Sequence, residues 1–247
     1  MKPILFLLSC LLCVGALQAQ ARFFGKVKIE YERVVYERQL VKDLDPTGYE
    51  RMKDRLPEKT VTYSEFVGDT TRALYKPGRE LPKDNNIRSV AGNFGDKNTV
   101  YTDFRSGRMV AQKPLFEETF LVEDSLPKIK WKLTADTRTI AGYDCHKVVG
   151  ILSDSIAIFA FYTDEILVSG GPESIGGLPG MILGMGVPRL HTTWFATKVE
   201  ATGVDLGSIA PPTKGKKTNF RGMMDDLQKV MKKWGPGGRY LILNLAI

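Results

Sequence analysis

The sequence predicts a mainly β domain: a large, curved antiparallel sheet, half-barrel or open barrel, with a C-terminal helix. Three observations predict it. About ten short alternating or apolar stretches, each bounded by turn residues, run from Lys26 to Val199. Clear helical periodicity is confined to the stretch after Pro211-Pro212, and short turns separate most of the strand candidates, which argues for an antiparallel sheet. So many strands in one sheet curl towards closure or split into two layers.

The first residues read as an address. Lys2 precedes an apolar run from Ile4 to Leu17, and Leu17-Gln18-Ala19 or Ala19-Gln20-Ala21 ends it with small residues. The expected organisation is a signal peptide over 1–21, a β-rich domain over 22–213 and a basic helix and tail over 214–247. Leu7-Leu8-Ser9-Cys10 offers a rival reading, lipidation at Cys10, although almost no apolar segment precedes that cysteine. Cleavage removes Cys10 and Cys13 and leaves Cys145, so the exported chain relies on a hydrophobic core and not on an internal disulfide. The expected location is the periplasm or the periphery of the outer membrane, with any membrane association peripheral.

In the domain itself, Val27, Ile29 and Tyr31 alternate with Lys28, Glu30 and Glu32, which marks a strand. At Val34-Val35-Tyr36 the alternation fails, which signals a bulge or burial of both faces. Tyr49, Met52 and Leu56 have helical spacing within the polar stretch 42–59. Thr60–Phe66 and Thr70–Tyr75 flank Gly68-Asp69 as a hairpin, and 77–96 is a Gly/Pro/Asn/Asp-rich excursion. Asn98–Phe104 and Met109–Gln112 flank Arg105-Ser106-Gly107-Arg108. Phe116–Glu123, Ile129–Leu133, Tyr143–Ile151, Ser155–Thr163 and Leu190–Val199 complete the strand candidates, Ser155–Thr163 being apolar on both faces and therefore central.

Met223, Met224, Leu227, Val230, Met231 and Trp234 recur at helical spacing, with Asp225 and Asp226 early and Lys232 and Lys233 late. Gly235-Pro236 is expected to stop this helix, and Tyr240–Ile247 to form a last strand or a docked tail. Eight basic and two acidic residues follow Thr213, whereas acids and bases balance between Arg22 and Thr213. The surplus charge thus belongs to the tail, and the body has no electrostatic footprint for nucleic acid.

The tightest stretch of backbone chemistry is Gly176-Gly177-Leu178-Pro179-Gly180-Met181-Ile182-Leu183-Gly184. Pro179 and Gly180 suit the two central positions of a type II turn, with Gly180 supplying positive φ, and Met181-Ile182-Leu183 leaves the turn as a buried strand. Gly177-Leu178-Pro179-Gly180-Met181-Ile182 resembles the signature of the GLPGLI family of exported envelope proteins, with Met181 in place of the usual leucine. Trp131-Lys132-Leu133, Gly142-Tyr143-Asp144-Cys145-His146-Lys147, Phe161-Tyr162-Thr163-Asp164-Glu165-Ile166 and Gly171-Pro172 resemble further segments of that family in order and spacing. Phe161 replaces an expected tryptophan, and Val168 stands where proline is common. The resemblance covers about Lys130 to Val199 and implies a β-rich exported domain with no established activity.

Catalytic signatures are sparse. The chain has no Gly-x-Ser-x-Gly, His-Glu-x-x-His, phosphate loop or dinucleotide fingerprint, and its whole length holds two histidines. Carboxylate pairs such as Asp164-Glu165 and Glu117-Glu118 read as solvated strand residues, and no cofactor is expected. The leading reading is a non-catalytic binding or accessory protein for an apolar or peptide ligand or an outer-membrane partner. Its candidate ligand-binding residues are Tyr162, Gly177, Leu178, Pro179, Gly180, Trp194 and Phe195, since the glycines admit a partner's backbone and the aromatics suit an apolar groove. The alternative is copper or zinc handling by Cys145, His146, Met185 and His191, with Met181 nearby. Cys145 and His146 are neighbours on a strand and point to opposite faces, which weighs against a shared ion.

Overall fold

The computed structural model describes residues 23–82, 94–152, 156–231, 233 and 235–247. The expected leader, Cys10 and Trp234 lie outside the described residues. Among the described residues the domain is one open, curved sheet of twelve strands. In chain order these are β1 (Lys26–Val35), β2 (Thr60–Asp69), β3 (Arg72–Pro77), β4 (Thr99–Asp103), β5 (Arg108–Leu115), β6 (Glu118–Ser125), β7 (Lys132–Ile140), β8 (Tyr143–Leu152), β9 (Ile156–Thr163), β10 (Met181–Val187), β11 (Thr192–Glu200) and β12 (Lys216–Thr218).

The spatial order is β12-β6-β5-β4-β3-β2-β1-β11-β10-β9-β8-β7. One meander runs outward from β1 to β6. The chain then crosses the end of the sheet through 126–131 and starts again at the opposite edge with β7. A second meander returns until β11 pairs with β1 from Val35↔Thr192 to Lys28↔Glu200. This crossing segment matters for the site below. Its Trp131 lies against Gly150 and donates from Nε1 to the Gly176 carbonyl at 3.0 Å.

Local chemistry explains where the strands turn. At the β2–β3 tip the Asp69 carboxylate accepts from the Thr71 amide, the Thr71 hydroxyl and the Arg72 amide, so the turn falls at Thr70-Thr71, one step beyond Gly68-Asp69. Ala141 and Gly142 both have positive φ, at 49° and 87°, which closes the β7–β8 hairpin with the twist such a tight turn needs. Two boundaries differ from expectation. Ile129–Leu133 is mostly the crossing segment, and the strand lies later, at β7. Phe116 belongs to a hairpin tip at φ 54°, not to a strand. At the end of β1 both Val34 and Val35 are buried, as the loss of alternation predicts, and the register shift against β11 lies earlier, between Glu30 and Tyr31.

Helices begin where the sheet alternation ends. α1 (Glu37–Leu44) starts before the polar stretch in which a helix was expected, because Glu37, Leu40 and Val41 form one buried stripe. The Asp45 side chain accepts from the Gly48 amide at 2.8 Å and caps α2 (Pro46–Met52). After β12, α3 (Phe220–Met231) buries Met223, Leu227 and Met231. Gly235-Pro236 begins a further helix, α4 (Gly235–Leu245), since a proline in a first turn costs no hydrogen bond. Tyr240–Ile247 is therefore a docked helix and not a strand. Tyr240, Leu241, Leu245 and Ile247 join the same hydrophobic core as the strands, so the stretch after Thr213 packs as part of the body.

Candidate functional site

The loop between β9 and β10, residues 164–180, folds back on itself at one end of the sheet. The Ser169 hydroxyl donates to the Leu178 carbonyl at 2.7 Å, and the Ile182 amide donates to the Gly170 carbonyl at 2.9 Å. Gly177 carries the positive φ, 81°, whereas Gly180 is not among the positive-φ residues. The expected type II turn is thus replaced by a different constraint. A Cβ at Gly180 would lie 2.0 Å from the Thr163 carbonyl oxygen, so that position admits no side chain. Leu178 is buried, while Gly177 and Pro179 are exposed at the rim.

Against this loop lies a cavity of about 200 Å³. Phe66, Thr102 and Phe104 come from the first meander, Leu126 and Pro127 from the crossing segment, and Ser169–Gly171 and Glu173–Gly177 from the glycine-rich loop. Among the described residues Glu173 is its one charged lining group. It is buried and held at φ 58°, a left-handed conformation that a residue with a side chain adopts at a cost of roughly 1 kcal/mol.

Behind Glu173 stands a buried polar network. Asn98 donates from Nδ2 to the Glu173 carboxylate at 3.0 Å, and Asn98 Oδ1 is buried with no hydrogen-bond partner among the described residues. Lys113 projects from the core face of β5, in register with Met109, Ala111 and Leu115, and donates to the Leu245 carbonyl at 3.1 Å. Arg33 occupies the corresponding face of β1, donates to the Phe94 carbonyl at 2.7 Å and lies over the Trp194 ring at 5.5 Å. Burial raises the Glu173 carboxyl above its usual range, and the charges of Lys113 and Arg33 hold it back only in part. Burial likewise pushes the Lys113 ammonium down and the Asp96 carboxyl up. Of this set only Glu173 lines the cavity; Asn98, Lys113 and Arg33 act on it from behind, so a group received there meets Glu173 among apolar, hydroxyl and backbone walls.

The candidate aromatics do not share this cavity. Trp194 is buried on the core face, in register with Met185 of β10. Phe195 faces the other way over Gly184, under the Arg138 guanidinium at 4.7 Å. Tyr162 is half-buried beside the His146 ring at 5.7 Å. Trp194 and Phe195 therefore cannot line one groove, and the core-facing side where such a groove would run is occupied by α4. The glycine-rich candidates fare better: Gly177 lines the cavity, and the Leu178 carbonyl fixes Ser169 of its wall.

The metal candidates also diverge. Cys145 is buried and its thiol is pushed up to about 12 by burial, His146 is exposed, and His191 pairs with Asp43 at 2.7 Å. Among the described residues no group of three or more His, Cys, Asp or Glu side chains could hold a metal ion. No helix among them is long and apolar enough to cross a membrane.

Glu173, Lys113, Asn98 and Arg33 are site residues that sequence reasoning misses. A signal exists for two of them: Arg33 continues the Val27, Ile29, Tyr31 alternation, and Lys113 stands between Ala111 and Leu115. Cations in register with core residues mark a buried charge network.

Residues 100–226, slightly more than half of the chain, match the family model described as "N-glycanase peptide, N-terminal domain". Two solved structures of PNGF-II, in space groups P21 and C2, share the fold with TM-scores of 0.50 and 0.51. Each is 15% identical; they cover 78% and 81% of this chain, which spans about a third, 32%, of their length. No curated protein matches.

Proposed function

This chain belongs to the family of N-glycanase peptide N-terminal domains, and on that premise we propose that it is a non-catalytic binding or accessory domain of the cell envelope. Its ligand is a peptide or apolar group received in the cavity beside the glycine-rich loop. One observation carries this reading: Glu173, buried and held in a left-handed conformation, is, among the described residues, the one charged residue lining a cavity otherwise walled by apolar side chains, hydroxyls and backbone. Backbone strain retained around a buried acid is characteristic of a site that binds. The exposed Gly177 and Pro179 form a lip over which a partner backbone can pass. The family description names an N-glycanase, so a glycan-bearing peptide is the first ligand class to test. Export rests on the expected leader and on the resemblance to GLPGLI proteins.

The experiment is calorimetric titration of the purified chain with a glycan-bearing peptide and with the same peptide stripped of its glycan. Saturable binding of at least one, weakened about tenfold or more by Glu173→Gln or Phe104→Ala, is expected. Absence of binding to both would overturn the cavity as a peptide site. Glycan released during the incubation, detected by mass spectrometry, would overturn the non-catalytic reading.

A further inference from the structure

The crossing segment and the start of β7 carry lysine at every second position: Lys128, Lys130 and Lys132. Between them Ile129 and Trp131 turn inward over Gly150, where a Cβ would meet an Ile129 methyl at 2.7 Å and the Trp131 ring at 2.8 Å. Extended backbone sends successive side chains to opposite faces, so the lysines stand outward in steps of roughly 7 Å. All three are exposed, and among the described residues none of them forms an ion pair or hydrogen bond.

Lys132 pairs with Val149 of β8, which puts both side chains on the outer face of the sheet. The same register, carried two residues further, sets Lys130 beside Ile151. Val149 is 38% and Ile151 56% exposed. On β9 the exposed Ala157 lies opposite Ile151, and the half-buried Phe159 lies opposite Val149. The two acids of these three strands are engaged elsewhere. Lys147 holds Asp136 at 2.8 Å, and Asp144 accepts from Thr139 near the β7–β8 turn. Aliphatic side chains thus face water beside lysines that no acid neutralises.

This composition narrows the partner. Protein interfaces favour aromatic residues and arginine at their centres and are poor in lysine. A further strand on β7 is disfavoured, because the register shift between Leu133 and Thr137 interrupts its ladder. Lysines beside aliphatic residues on an open face suit a bilayer: their stems lie along the apolar layer while the ammonium groups reach anionic headgroups.

We propose that the outer face of β7 and β8 docks on an anionic lipid bilayer. Lys128, Lys130 and Lys132 meet the headgroups, and Val149 and Ile151 enter the interface. The surface is separate from the cavity at Glu173 and stands or falls independently of the ligand proposed there.

The test is sedimentation of the purified chain with vesicles of phosphatidylcholine mixed with phosphatidylglycerol, and with vesicles of phosphatidylcholine alone. Binding to the mixed vesicles should exceed that to the neutral ones by about tenfold or more and weaken as salt is added. Lys130→Gln combined with Lys132→Gln should lower it about 25-fold, since each lysine near such a surface contributes about fivefold. Ile151→Ser should lower it at least about threefold. Lys214→Gln combined with Arg221→Gln removes the same charge from the tail and should change it less than about twofold. All of these positions are exposed, so the fold is retained. The proposal is overturned if the mixed vesicles do not bind the chain, or if the tail variant loses as much as the β7 variant, which would leave net charge as the cause. It is also overturned if Ile151→Ser binds unchanged, which would assign the lysines to a soluble polyanion.

Discussion

Lys113 donates from Nζ to the Leu245 carbonyl at 3.1 Å across 132 residues of sequence. The carbonyl belongs to the last turn of α4, where helical geometry leaves it without a partner and where the dipole favours a cation. One buried ammonium thus fastens the C-terminal helix to the sheet and balances Glu173 at the cavity wall. Lys113→Met keeps the length and removes the charge. It should destabilise the protein by about 3 kcal/mol, because it strands both a buried carboxylate and a helix carbonyl. Adding Glu173→Gln should recover much of that loss, since the uncompensated charge goes with it. Guanidinium unfolding of the two single variants and the double variant checks this. Additive losses would show that the two groups do not interact.

The raised Glu173 carboxyl also sets a pH dependence. Its folded form holds a proton more tightly than the unfolded chain does, whose carboxyl titrates near its ordinary 4.5. The stability it contributes is therefore fully present below about that value and is lost as pH rises through the folded value. Asp96, raised by burial as well, has the same sign. Glu173→Gln should flatten the decline in stability measured between mildly acidic and neutral pH. A wild-type curve that rises across this interval, with the variant parallel to it, would contradict the assignment.

Cys145 is 1% exposed, and its thiol titrates at about 12 instead of near 9.0, with burial as the main cause. At pH 8 the folded protein should hold roughly a thousandfold less thiolate than the unfolded chain. Reaction with Ellman's reagent should therefore be slow in buffer and complete within minutes in guanidinium. Fast labelling of the native protein at pH 8 would restore Cys145 as a candidate reactive group. The same burial weakens the fold in alkali, because this thiol's contribution is present below its ordinary value and is lost as pH climbs to about 12.

Sheet architecture was legible because its signals are local. Alternation in β1, the turn at Gly107 and the two-faced apolar run of β9 each reflect a short stretch of backbone chemistry. The C-terminal helix was half legible. The Met223, Leu227 and Met231 stripe shows in its spacing, but α4 is apolar on most sides and lacks a stripe. Its helical state depends on packing against the sheet, as with Lys113 and Leu245. The site was least legible, since Glu173, Asn98, Lys113 and Arg33 come from four separate elements and meet only through the strand order. The glycine-rich loop was found for a sound reason with the wrong geometry. Turn propensity pointed to positive φ at Gly180, whereas the approach of the Thr163 carbonyl is what excludes a side chain there.

That distinction makes the loop testable one glycine at a time. At Gly177 the strain is conformational only: φ is 81° and nothing lies within 4 Å of the place a methyl group would take, so Gly177→Ala should cost about 1 kcal/mol. At Gly180 the obstacle is a carbonyl oxygen 2.0 Å from the Cβ position, and neither β9 nor the loop can retreat without breaking the backbone bond from Met181 to Ile166. Gly180→Ala should therefore cost at least about 3 kcal/mol and shift the cavity wall, in the range reserved for buried steric conflict. Thermal unfolding of the two variants side by side measures the difference. Equal and small losses would mean that the loop yields freely, and the cavity walls would then be too soft to hold Glu173 in its strained conformation.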